Sequence, residues 1–230
     1  MDFNQIVRYP MESDEWLKTI LIGGVLIFFG FLLIPLFLVY GYIIRTIRGV
    51  LADDPSPPEF DEWGELFVDG VSAWVVSVVY LLVPLIVAGI TIGGSIAAVA
   101  TGSEIGAAAG AGGLLVGLTI STILSLAFGY LAVVAIVNFA REGQFGAAFD
   151  LDVIKTVALD RDYAIAWLVS VGVFLIAGVV SSIPFVGWII TPFVSFYAAI
   201  VAADLWAGGF TPALESVDDI ARHRNEEPTI

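Results

Sequence analysis

Cysteine is absent from the 230-residue chain. Disulfides, thiolate nucleophiles and sulfur-ligated metals are therefore excluded. Histidine occurs once, as His223, in a polar stretch beside Arg222, Arg224 and Glu226. A solvated side chain is the expectation there, not a catalytic one. Charge is scarce and one-sided: 14% of residues are charged, 23 acidic against nine basic, for a formal net charge of −14. So few cations cannot neutralise a phosphate backbone, and no nucleic-acid partner is expected. The acids are dispersed and miss the spacing of a calcium loop, so neither a metal site nor a cofactor is expected.

Apolar residues fill the space that charge leaves. They make up 59% of the chain, and mean hydropathy is +0.96, where a soluble domain carries roughly 45–50% apolar residues. Runs of about 20 or more apolar residues are broken only by Gly, Pro and small hydroxyls, as membrane spans are. Backbone groups in lipid need internal partners, which restricts spans to helices or closed barrels. These runs lack the alternation of barrel strands. The expected fold class is all-α: a polytopic transmembrane helix bundle of five or six membrane segments with short amphipathic interfacial helices. The segments fall at 16–33, 34–48, 71–98, 112–140, 163–182 and 185–207, in a single transmembrane domain over 1–210. An amphipathic and then polar tail follows at 211–230, opened by Thr211 and Pro212. No cleavable leader is expected, because the first apolar run is long and lacks a small-residue exit.

Local signals refine this plan. Ser56, Pro57, Pro58 and Glu59 read as a capped helix start, predicting an interfacial helix over 59–70. Phe60, Trp63 and Phe67 form its apolar keel, and Glu62 and Glu65 lie on its acidic face. A second interfacial helix is predicted over 145–158, where Phe145, Phe149, Val153 and Val157 step by four. Asp160 is placed to cap the helix that begins near Tyr163. Pro84 predicts a kink, and the Gly/Ala-rich stretch 93–113 a flexible turn. The pairs Gly89/Gly93 and Gly113/Gly117 suit close helix contacts.

Trp16–Ile44 is long enough for one tilted span or for two short helices folded back near Phe31–Pro35. Arg45, Arg48, Arg141, Lys155 and Arg161, with Arg222 and Arg224, put their connections and the C-terminus in the cytoplasm. Arg8 and Lys18 bias the N-terminus to the same side. That requires an even number of passes before Arg45 and favours the hairpin.

The stretches PEFDEWGELFVDG at 58–70, NFAREGQFGAAFD at 138–150, GYIIRTIRG at 41–49 and IPFVGW at 183–188 resemble an uncharacterised archaeal family. Its members are small multi-pass membrane proteins of halophiles and methanogens, and the resemblance covers roughly residues 1–210. It implies an archaeal cell-membrane protein, whose acid excess is similar to that of a host with high internal salt. The family brings no activity, so no residue inherits a role.

An enzyme is not expected. The spans hold no His or Cys and, apart from Asp204, no acid well inside a predicted helix. Asp204 itself is expected at the interface, one turn from a helix end and beside Trp206. The leading expectation is a non-enzymatic membrane component that binds a protein partner, a second copy of itself or membrane lipid. Phe60, Glu62, Trp63, Glu65 and Phe67 would be its interaction face, although the same aromatics also suit packing onto their own bundle. The alternative is a small-solute or ion transporter or channel, with Thr119, Thr122, Ser125 and Asp204 as its intramembrane polar residues.

Overall fold

A computed structural model describes residues 3–226, with side chains described from Ile6 to Glu215. His223, Arg222 and Arg224 lie outside those side chains. The described residues form eight α-helices and no strand: α1 Phe3–Arg8, α2 Trp16–Phe28, α3 Ile34–Leu51, α4 Trp63–Ala100, α5 Glu104–Glu142, α6 Leu151–Ala158, α7 Arg161–Ser181 and α8 Val186–Glu226. Five of these, α3, α4, α5, α7 and the Val186–Glu215 part of α8, are long and apolar enough to cross a membrane. The chain divides into two compact units, Met1–Trp74 with Val134–Ile230, and Val75–Val133.

The larger unit is built around α8, against which α1, α2, α3, α6 and α7 pack. Its residues Phe196, Ile200, Val201, Ala203, Leu205, Ala207 and Phe210 are all buried. They lie on two opposite faces of the helix, as expected of a post packed on more than one side. Small residues let neighbours close in: Gly23 and Gly24 of α2 leave room for Phe196 and Phe193.

The apolar run 16–48 is two helices. Gly23 of α2 and Tyr42 of α3 both meet Phe196, the second with ring centroids 5.2 Å apart. A straight helix would hold residues 23 and 42 roughly 28 Å apart, so the chain folds back between them. The reversal is a 3₁₀ turn at Gly30–Leu32 followed by Leu33 at φ 64°, ψ −47°, a conformation that costs a non-glycine residue about 1 kcal/mol or more.

Three predicted boundaries are corrected. No separate interfacial helix occupies 59–70. Residues 53–62 form an irregular strap and α4 begins only at Trp63, after Glu62 at φ +47°. The two prolines hold their predecessors extended, and contacts with α3, described below, retain the backbone that way. The predicted 145–158 helix is split into a 3₁₀ turn, Phe145–Phe149, and α6. Asn138 donates to the Ala147 carbonyl at 2.8 Å and pins the turn, and Asp150 caps α6 by accepting from the Asp152 and Val153 N–H groups. Nor does a separate segment open at Thr211–Pro212, because α8 runs through both Pro192 and Pro212. Buried Phe210 and Ala213 hold that turn in register. Asp160 does cap α7, accepting from the N–H groups of Asp162 and Tyr163 at 2.8 and 3.0 Å.

The smaller unit holds the C-terminal part of α4 and the N-terminal part of α5. The expected flexible turn over 93–113 shrinks to Thr101–Ser103, with Gly102 at φ +71° and the Ser103 hydroxyl accepting from the Gly106 N–H at 3.0 Å. Gly117 lies directly against Thr91, and a Cβ on Gly113 would fall 3.3 Å from Ser95 Oγ, so this pair is a helix contact as expected. Gly89 and Gly93 have open space instead. Two residues turn a helix by about 200°, so a face that presents Thr91 and Ser95 to α5 turns Gly89 and Gly93 away. Helical structure continues through Pro84 without a break.

Candidate functional site

The strap organises the polar end of the larger unit. Tyr42, fully buried on α3, donates its hydroxyl to the Pro58 carbonyl at 2.8 Å. Arg45, one turn on, donates to the Asp61 carbonyl at 3.2 Å and pairs with the Asp61 and Glu62 carboxylates. Phe60 stacks on Tyr42 with centroids 4.3 Å apart, and Trp63 stacks on Phe60 at 5.6 Å. Beyond the strap, Arg48 pairs with both carboxylate oxygens of Asp69 and donates through Nε to the Ala140 carbonyl at 3.2 Å. At the crossing of α3 with the start of α4 the backbones nearly touch. Gly41 faces the Leu66 carbonyl and Gly70 faces the Phe37 carbonyl, with no space for a Cβ on either glycine.

The expected interaction face is thereby divided. Phe60 packs between Tyr42 and Phe196, and Phe67 meets the Phe37 ring at 5.7 Å. Glu62 is engaged by Arg45. Trp63 keeps 45% of its surface exposed, and Glu65 is exposed. The aromatics thus fasten the strap and α4 to the bundle. Thr119, Thr122 and Ser125 are exposed on α5. The two threonine hydroxyls donate to the Leu115 and Leu118 carbonyls of their own helix.

Asp204 is not at a helix end. It sits half-buried within α8, about six turns before the last described residue, while neighbouring Trp206 donates Nε1–H to Ser170 Oγ at 2.8 Å. It forms one wall of a cleft of about 820 Å³. The strap supplies a second wall through Asp53 and Asp54, and the segment before α2 a third through Tyr9 and Glu12. Four carboxylates thus line one cleft, with no basic residue among its described walls. Ile6, Val50 and Leu205 add apolar surface.

One buried polar group of the cleft has no hydrogen-bond partner among the described residues. Tyr9 is only 6% exposed, and its hydroxyl has no hydrogen-bond partner. Burial raises its pKa, and the charges of Asp204, Asp54 and Glu12 raise it further, so the phenol stays neutral. Pro212 has no N–H to give to the carbonyl of Gly208 one turn earlier, and Gly208 is exposed and lines the cleft. Among the described residues, no three carboxylate or imidazole groups converge closely enough to hold a metal ion directly.

Sequence reasoning found Asp204 but not its companions. Tyr9, Glu12, Asp53 and Asp54 share no motif or spacing that would single them out in the sequence. Only the folding of two distant segments onto α8 makes them neighbours.

Residues 25–186 match the family model described as a protein of unknown function, DUF4013. The chain belongs to that family. No curated protein and no solved structure matches it. The matched residues include the strap, Arg45 and Arg48, but not Tyr9, Glu12 or Asp204. Two of the cleft's three walls therefore lie outside the part shared with the family model.

Proposed function

We propose that this member of the family is a non-enzymatic membrane component that binds a positively charged ligand or partner at its polar end. The carrying observation is the cleft with Glu12, Asp53, Asp54 and Asp204 on its walls and no basic residue among its described lining residues. Carboxylates confined together around low-dielectric walls focus a negative field and concentrate cations. The charge bias of the connections supports a cytoplasmic location for this end and for both termini, and the acid excess suits a host with high internal salt. Contacts with lipid or with a second copy of the chain belong to the same reading, through the exposed apolar faces of the spans.

A direct test is thermal unfolding of the detergent-solubilised protein titrated with organic and inorganic cations at constant ionic strength. Saturable stabilisation is expected for the wild type and should disappear in the D53N/D54N/D204N variant. Equal stabilisation of both proteins, or none of the wild type, refutes the reading. A second reading, a cation transporter, is favoured by the position of Asp204 on a membrane-spanning helix. Cation flux into proteoliposomes that is abolished by D204N would select it.

A further inference from the structure

We infer that the cleft takes an aliphatic polyammonium ligand, its ammonium groups shared among Asp204, Asp54 and Glu12, with one N–H accepted by the Tyr9 hydroxyl oxygen. The inference rests on the reading of the cleft as a cation site and identifies the class of cation. Three features separate this class from a metal ion. The volume of about 820 Å³ is far more than the single water-sized space an ion needs. The carboxylates come from three separate segments and do not converge on a point among the described residues, which suits charges spaced along a chain. Ile6, Val50 and Leu205 lie among the acids and match the methylenes between ammonium groups, whereas a hydrated ion has no use for apolar walls.

The unpartnered hydroxyl points the same way. The buried, neutral Tyr9 hydroxyl has a free lone pair and a free proton. The proton can go to a neighbouring carboxylate and the lone pair to an ammonium N–H. An ammonium group carries N–H donors and no acceptor, so it satisfies an acceptor that the fold leaves open.

The test measures binding of spermidine to the full-length protein in detergent by equilibrium dialysis at fixed ionic strength, with Mg²⁺ and K⁺ as competitors. Melting temperatures check that each variant is folded. Saturable spermidine binding is expected, weakened about tenfold by D204N and by D54N, severalfold by Y9F, and unchanged by E65Q. Mg²⁺ at the same concentration should not displace it. D54N lies on the exposed strap and keeps the test valid if D204N fails to fold. Displacement by equimolar Mg²⁺, with D54N weakening both cations, overturns the polyammonium assignment and leaves the cation cleft standing. Spermidine binding that D54N and Y9F leave unchanged also overturns it. Absence of binding by any cation overturns both this assignment and the proposed function.

Discussion

Replacing Gly41 by alanine tests whether the α3–α4 crossing sets the stability of the polar end. In an exposed helix interior the change would stabilise by about 1 kcal/mol, because alanine has the better helix propensity. At Gly41 the added methyl would enter the space of the Leu66 carbonyl, with Leu66 Cα only 2.7 Å away. These are backbone atoms, so no side-chain rotation relieves the clash and the two helices must separate. Overpacking of this kind costs about 1–3 kcal/mol, and a rigid backbone obstacle puts the cost at the upper end. Separation also draws Gly70 from the Phe37 carbonyl and loosens the strap that Tyr42 and Arg45 hold. The net expectation is destabilisation by about 1–2 kcal/mol, or roughly 5- to 30-fold in the folded-to-unfolded ratio. The control is G172A on α7, where an added Cβ meets nothing within 4 Å and stability should hold or rise. Reversible unfolding of both variants in mixed micelles, followed by tryptophan fluorescence, gives the comparison. If G41A proves as stable as G172A, the close crossing is not a constraint and the reasoning fails.

Three further outcomes follow from the geometry. Y42F removes the hydroxyl that holds the Pro58 carbonyl and should cost about 1 kcal/mol, with faster limited proteolysis of the strap; unchanged cleavage would show that Phe60 stacking alone fixes it. L33G relieves the positive φ of an exposed residue and should stabilise by about 1 kcal/mol, read as a higher melting temperature in detergent. The Tyr9 phenol, raised above its ordinary value of 10.0 by burial and by Asp204, Asp54 and Glu12, binds its proton more tightly folded than unfolded. Its contribution is therefore complete below about pH 10 and is lost as pH climbs above it. Between about pH 10 and 12 the wild type should lose stability more steeply than Y9F, as alkaline melting curves would show.

By itself the sequence determined the class of the protein and the places where local chemistry acts alone. Long uncharged runs can be satisfied only as helices in lipid. Asp160 caps α7 because its partners are two and three residues away, and Gly113 and Gly117 meet α5's neighbour through a simple helical period. The strap went the other way. Its local signals favour a helix, but an arginine and a tyrosine from α3, distant in sequence, hold the carbonyls of Asp61 and Pro58, and Phe60 finds a better partner in Tyr42. The length of α8 was partly hidden: the expected segment 185–207 already runs through Pro192, but Thr211 and Pro212 read as the start of a new segment, whereas the helix continues through them. The cleft belongs wholly to tertiary structure. Glu12, Asp54 and Asp204 carry no shared motif or spacing, and they become one electrostatic unit only because the N-terminal segment and the strap both fold against a single central helix.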